Sequence, residues 1–179
     1  MGSLLVVTGP PGAGKSTVAA IVADRDDPSV LVEGDAFFAF LARGRIEPWL
    51  PESHAQNTVV TQAAAATAGR FASGGYTTVY DGVLGPWFLP TFAAATGLDT
   101  LDYVVLLPDV ETCVDRVDTR HGHGFADEAA TRKMHHEFAK ADETIAERHV
   151  LRETGDDPAA VADRIVDAQR RGTLTVTSS

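Results

Sequence analysis

The sequence predicts an α/β protein built on a mainly parallel central sheet. Short apolar runs rich in β-branched residues recur along the chain, most of them continuous rather than alternating, and segments of helical period and composition lie between them. Continuous runs suit strands buried on both faces, and parallel neighbours need a crossover, usually a helix, to join them. No linker divides the chain, so one domain is expected over 1–172, followed by a tail at 173–179.

The elements follow in order. "LLVVT" (4–8) is the first strand and 15–25 the first helix; "VLVE" (30–33) is the second strand. The stretch 34–57, with "RGRIEPWLPESH", is too polar and Gly-rich for core and reads as a surface excursion. A helix at 57–73, "TTVYD" (77–81) as the third strand and a helix at 86–96 come next. "YVVLL" (103–107) is the fourth strand, 110–121 a helix, and "TRHGHGFAD" (119–127) a second excursion within a lid expected over about 116–130. Helix 127–148, a fifth strand in "HVLRET" (149–154) and helix 158–171 complete the pattern. The tail "GTLTVTSS" has no periodic partner and is expected to fray.

Composition narrows the function classes. With 179 residues the chain can bury a substantial core, and a formal charge of -10 opposes non-specific binding to nucleic acid or anionic membrane. The single Cys113 excludes an internal disulfide and a cysteine-based zinc site, in keeping with a reducing compartment, so the cytoplasm is the expectation. No run approaches the roughly 18 apolar residues of a membrane span. The start "MGSLLVVTGPPG" lacks the basic region and long apolar core of a secretion signal.

Directly after the first strand, "GPPGAGKST" (9–17) fits G-x-x-x-x-G-K-[ST] at every fixed position. Glycines let backbone N–H groups turn inward around phosphate oxygens, Lys15 brings a point charge to the β and γ phosphates, and Ser16 offers a hydroxyl to Mg²⁺. The helix that begins here adds the positive end of its dipole. Gly9, Gly12, Ala13, Gly14, Lys15, Ser16 and Thr17 are therefore the expected nucleotide-contacting set. Magnesium binds hard oxygens, so a carboxylate should stand near Ser16, and Asp81, closing the third strand, is the Walker-B-like candidate. Asp81 before Gly82 is also an ordinary turn pair.

With "GPPGAGKST", "EGD" ending 20 residues past Lys15, "YDG" closing the third strand and "RVDTR" after the fourth, the chain resembles the small P-loop kinases. That group includes gluconate kinase, adenylylsulphate kinase, chloramphenicol phosphotransferase and polynucleotide 5′-kinase, and the likeness runs from Leu4 to about Arg171. It implies a five-stranded parallel sheet in the order 2-3-1-4-5, with ligands outside the carboxyl ends of the strands. In that order Asp81 lies one strand from the P-loop, about 5 Å, and Asp35 two strands away, about 10 Å. The resemblance implies that Asp35 is the base that receives the acceptor's proton, with Glu33 either a supporting group or simply the strand's end. It implies that Arg116 packs on adenine, that Arg120 touches the transferred phosphate, and that "TGDDP", with Gly155, borders the base. Arg116 and Arg120 are four apart and share a helix face. His121 and His123 read as loop histidines, without the spacing of a metal site.

Phe37, Phe38, Phe40, Trp49, His54 and Trp87 are the candidate acceptor wall, with Arg43, Arg45 or His54 for polar contacts. "DGVLGPWFLP" carries no basic residue for an acceptor's own phosphate. The expected reaction is transfer of the γ-phosphate of ATP, with Mg²⁺, to a hydroxyl of a small molecule such as an antibiotic, sugar or other alcohol. A polynucleotide or nucleoside 5′-hydroxyl kinase and a non-catalytic ATP-binding switch or resistance protein are the alternatives, the first disfavoured by the acidic charge.

Overall fold

In a computed structural model the chain is described over residues 2–119, 127–141, 144–155 and 157–178. Its strands are β1 (Ser3–Thr8), β2 (Ser29–Glu33), β3 (Thr77–Asp81), β4 (Thr100–Leu106), β5 (Val150–Leu151) and β6 (Thr175–Thr177). The helices are α1 (Lys15–Ala23), α2 (Gly34–Ala39), α3 (His54–Ser73), α4 (Leu89–Thr96), α5 (Val110–Asp118), α6 (Glu128–Ala141) and α7 (Pro158–Arg170). The strand order is β2-β3-β1-β4-β5, all parallel, as the resemblance implied.

Continuous apolar strands divide their side chains between two cores. Along β1, Leu4 and Val6 join Val32, Tyr80, Tyr103 and the alanines of α3 on one face, while Leu5 and Val7 join Val18, Val79, Val104 and Ile165 on the other. This is the period-2 alternation of a strand covered on both sides. The small residues of α3 have a packing reason, since a Cβ on Gly69 would collide with the Thr96 carbonyl of α4. Among the described residues no helix is long and apolar enough to cross a membrane.

Two expectations need correction. The tail is not frayed: β6 pairs antiparallel with Thr100–Asp102, Thr175 Oγ1 donates to Asp102 at 2.9 Å, and Leu174 is buried, so the sheet has six strands. The cause is the brevity of β5, which pairs only with Val105 and Leu106 and leaves the first half of β4 an open edge. The surface excursion at 34–57 is bounded by helices, since α2 starts at once after β2 and α3 begins at His54. Gln56 and Asn57 on α3 pin its far side, exchanging bonds with Ile46 N and O at 2.8 and 2.7 Å and donating to Pro48 O at 2.7 Å.

Candidate active site

β1, β2 and β3 end at one edge of the sheet, and register aligns their last residues: Asp81 stands opposite Val7 on one side and Glu33 on the other. The chain leaves β1 into the glycine loop. Gly9, Gly12 and Gly14 have φ of 146°, 78° and 92°, where a side chain is strained, and Cβ atoms at Gly9 and Gly12 would collide with the Leu106 and Cys113 carbonyls. The loop closes through Ala13 N to Pro10 O at 3.2 Å, and α1 begins at Lys15 with no acidic residue in its first turn to quench its dipole. Lys15 Nζ donates to Pro10 O at 3.0 Å, which folds its ammonium over the loop. Ser16 and Thr17 are exposed at the mouth. Cys113, packed behind Gly12, is buried, and its thiol is pushed up to about 11, so it contributes packing rather than a nucleophile.

Asp81 is 8% exposed. Burial raises its pKa, the Ser16 hydroxyl bonded to it and the Lys15 ammonium pull it back down, and Asp35 and Glu33 push it up again. Lys15, Ser16, Asp81, Asp35 and Glu33 thus lie within electrostatic reach of one another. Asp81 Oδ1 has no hydrogen-bond partner although it is buried. An orphaned carboxylate oxygen next to a serine hydroxyl fits Mg²⁺, which takes hard oxygens and keeps several of its waters. Among the described residues no group of three or more His, Cys, Asp or Glu is placed to hold a metal, so the protein would supply few of the ion's ligands.

Asp35 lies in the first turn of α2, exposed, and makes no ion pair among the described residues. It does not serve as a helix cap. Glu33 occupies that position, with no side-chain cap bond. The capping explanation of an acid at this point of the sequence therefore does not apply, its place in the first turn suits the helix dipole, and its charge is felt at Asp81 and Tyr80.

Arg116 on α5 sits beside the loop, with Nη2 donating to Gly155 O at 3.0 Å and Nη1 3.8 Å from where a Cβ on Gly14 would be. The two segments expected at the adenine thus meet at the edge of the phosphate cradle. Arg120, His121 and His123 lie outside the described residues. The residues expected as an acceptor wall are spread over α2, the loop before α3, the start of α3 and the segment after β3. Lys133 donates to Trp49 O at 3.3 Å, Trp87 packs on Phe138 with ring centres 5.2 Å apart, and His54 stacks on Phe88 at 5.5 Å. Trp87 faces a groove with Glu137, Lys140, Ala141 and Thr144. Phe37 leans into the core, half-buried Phe38 lies beside it on α2, and Phe40 is 73% exposed with its ring edge on Phe37. Arg45 pairs with Glu47 at 3.8 Å, and Arg43 is exposed in the same loop.

Two further features were not legible as site residues. Thr8 Oγ1 donates to Leu84 O at 3.1 Å and accepts from Leu84 N at 2.8 Å, while the Tyr103 hydroxyl donates to Leu84 O at 2.8 Å, so the loop after Asp81 is locked to β1 and β4. Tyr80 lies under both acidic turns, and burial first, then Asp35 and Asp81, raise its pKa.

Residues 4–141 match the AAA domain family. The chain belongs to that family. It is a P-loop nucleotide-binding domain, with the family's phosphate loop at Gly9–Thr17. Its fold is similar to that of a sugar kinase from Janibacter sp. HTCC2649 (TM-score 0.69, 20% identity, 95% of each chain covered). It is also similar to the Deinococcus radiodurans tunicamycin resistance protein (0.67, 15%, 96% of each). A gluconokinase from Sinorhizobium meliloti 1021 matches at 0.63 and 16%, over 94% of this chain and 92% of that one. At these identities the likeness is one of fold, and it places small-molecule kinases among the structural neighbours. No curated protein matches the sequence.

Proposed function

We propose that the protein is an ATP-dependent phosphotransferase that moves the γ-phosphate of ATP to a hydroxyl of a small molecule, an antibiotic, sugar or other alcohol. The observation that carries this reading is the position of Asp35: open to solvent, free of ion pairs among the described residues, and close enough to Asp81 and Tyr80 to shift both. Backbone amides of the glycine loop would hold the phosphates, with Lys15 at the β and γ positions. Ser16 and Asp81 would hold Mg²⁺, which when bound neutralises phosphate charge. Asp35 would orient the acceptor hydroxyl and take its proton as the oxygen–phosphorus bond forms and the bond to the ADP oxygen breaks. Orientation is the larger part of that task, because the phosphoryl transition state is loose and asks little of the base. Arg116 and Gly155 would border the adenine. Phe38, Trp49, His54 and Trp87 would offer the acceptor an apolar wall with few polar groups, which suits an uncharged molecule.

The sugar kinase, gluconokinase and resistance-protein descriptions of its structural neighbours support this class of acceptor. The formal charge of -10 weighs against a polynucleotide. The test is a panel of hydroxylated metabolites and antibiotics assayed for acceptor-dependent ADP release, repeated with Asp35→Asn. Transfer should fall about 10²-fold while AMP-PNP binding is kept. Binding and ADP release both unchanged in Asp35→Asn, with no acceptor stimulating the wild type, would leave an ATP-binding switch in place of a kinase.

A further inference from the structure

The glycines of "EGD" and "YDG" share a neighbour. A Cβ on Gly34 would collide with the Tyr80 hydroxyl, and a Cβ on Gly82 would stand 2.7 Å from the same oxygen. Neither glycine has a positive φ, so neither is required for backbone conformation. Both leave room for one phenol oxygen, and their neighbours in sequence, Asp35 and Asp81, are the two acids of the site. Tyr80 itself is 5% exposed and its ring packs on Phe92, centre to centre at 4.7 Å. Register brings it between Val6 of β1 and Val32 of β2. Its hydroxyl is not among the buried polar atoms of the described residues that lack a partner. An apolar ring would fill the same place, so the oxygen for which both turns leave room calls for a reason of its own.

We infer that Tyr80 is a positioning residue for phosphoryl transfer: its hydroxyl, seated against Gly34 and Gly82, sets the separation of the turns that carry Asp35 and Asp81. The inference rests on the transferase reading and deepens it. Because the oxygen touches both turns, a change at one is passed to the other through a single atom. The glycine cradle, two strands removed from Gly34, is left alone.

The experiment compares wild type, Tyr80→Phe, Gly34→Ala and the double variant. Three readouts are used: AMP-PNP affinity, Tm, and kcat and KM for MgATP hydrolysis with water as acceptor. Tyr80→Phe keeps the ring on Phe92. It should hold AMP-PNP affinity and KM for ATP within about threefold and Tm within about 3 °C, while kcat falls about tenfold, the cost of acids slightly out of place. Gly34→Ala should lower both kcat and Tm, and in the Tyr80→Phe background its loss of Tm should shrink, since the displaced oxygen is gone. Wild-type kcat in Tyr80→Phe overturns this inference alone, as does an equal Tm loss from Gly34→Ala in both backgrounds. A drop in AMP-PNP affinity or a Tm collapse in Tyr80→Phe also overturns it, in favour of a purely structural tyrosine. A wild type that binds AMP-PNP but releases no ADP, either in water or with any acceptor of the panel, overturns the transferase reading and this inference together.

Discussion

The two halves of the cleft are made by different means. On the nucleotide side the contacts come from backbone: three glycines at positive φ, a loop closed by its own carbonyls, and the bare start of α1. On the proposed acceptor side they would come from side chains of distant segments, Asp35 from α2, Trp49 from a loop held by α3, Trp87 from the segment after β3. The first half therefore tolerates little change in covalent structure but is indifferent to what lies across the cleft. The second can exchange its aromatics without disturbing the first. A fold that meets one invariant ligand and many acceptors would be divided in this way.

The division is tested most severely at Lys15. Its ammonium is the mobile charge of the nucleotide half, now lodged on Pro10 O, and no other residue of the loop can replace it. Lys15→Ala should reduce phosphoryl transfer about 10³-fold, with little change in Tm. An effect below tenfold would mean that main-chain amides alone hold the phosphates. Gly12→Ala probes the same half through stability. A Cβ there meets the Cys113 carbonyl oxygen and lies 2.9 Å from its Cα, at a φ of 78°. Left-handed strain of about 1–2 kcal/mol and a forced shift of α5 should together cost about 2–4 kcal/mol, read by urea denaturation. A loss under about 1 kcal/mol would show that α5 yields easily.

The same contrast explains what could be read from the chain alone. The phosphate loop and Asp81 were legible because their chemistry is local, a motif after a strand and an acid at a strand's end, whereas the strand order came through resemblance. Asp35 was legible only through resemblance, since an acid at the start of a helix has an ordinary explanation in the cap and the dipole, and the coordinates remove only the cap. Tyr80 was hidden because a tyrosine in a buried run reads as core, and it is core by its ring; only its hydroxyl belongs to the site. β6 was missed because three residues carry too little alternation to register, and the open edge it fills depends on how short β5 turned out to be. The pinning of Ile46 and Pro48, just before Trp49, by Gln56 and Asn57 is likewise a matter of tertiary bonds, which polarity and glycine content do not report.

A smaller effect is expected at Asp81, where the two halves meet. Burial raises the pKa of this carboxylate in the folded chain above its ordinary value. Between those two values the folded state binds more protons than the unfolded one, so stability falls as pH rises through that window. Above that window the ionised, half-orphaned carboxylate is a standing cost to the nucleotide-free protein. Asp81→Asn should therefore raise the nucleotide-free Tm by a few degrees at pH 7, about 1 kcal/mol, while weakening the Mg²⁺ dependence of AMP-PNP binding. The gain should vanish as pH is lowered through the same window. A variant no more stable than wild type at pH 7 would place the cost of Asp81 elsewhere, in Ser16 and Lys15 already offsetting it.

The smallest stability change should come from Phe40, on the far side. It is 73% exposed and touches the fold through an edge contact with Phe37 at 5.4 Å, so Phe40→Ala should alter stability by no more than about 0.5 kcal/mol. AMP-PNP affinity should be unchanged, because no part of α2 enters the glycine loop. If the aromatics form the acceptor's wall, KM for whichever compound stimulates ADP release should rise about three- to tenfold with kcat nearly constant, the pattern of lost uniform binding. A change of similar size in ATP affinity would break the comparison, since it would mean that nucleotide and acceptor halves respond to one another through α2. An unchanged KM would instead move the acceptor away from Phe40, toward the Trp87 side of the wall.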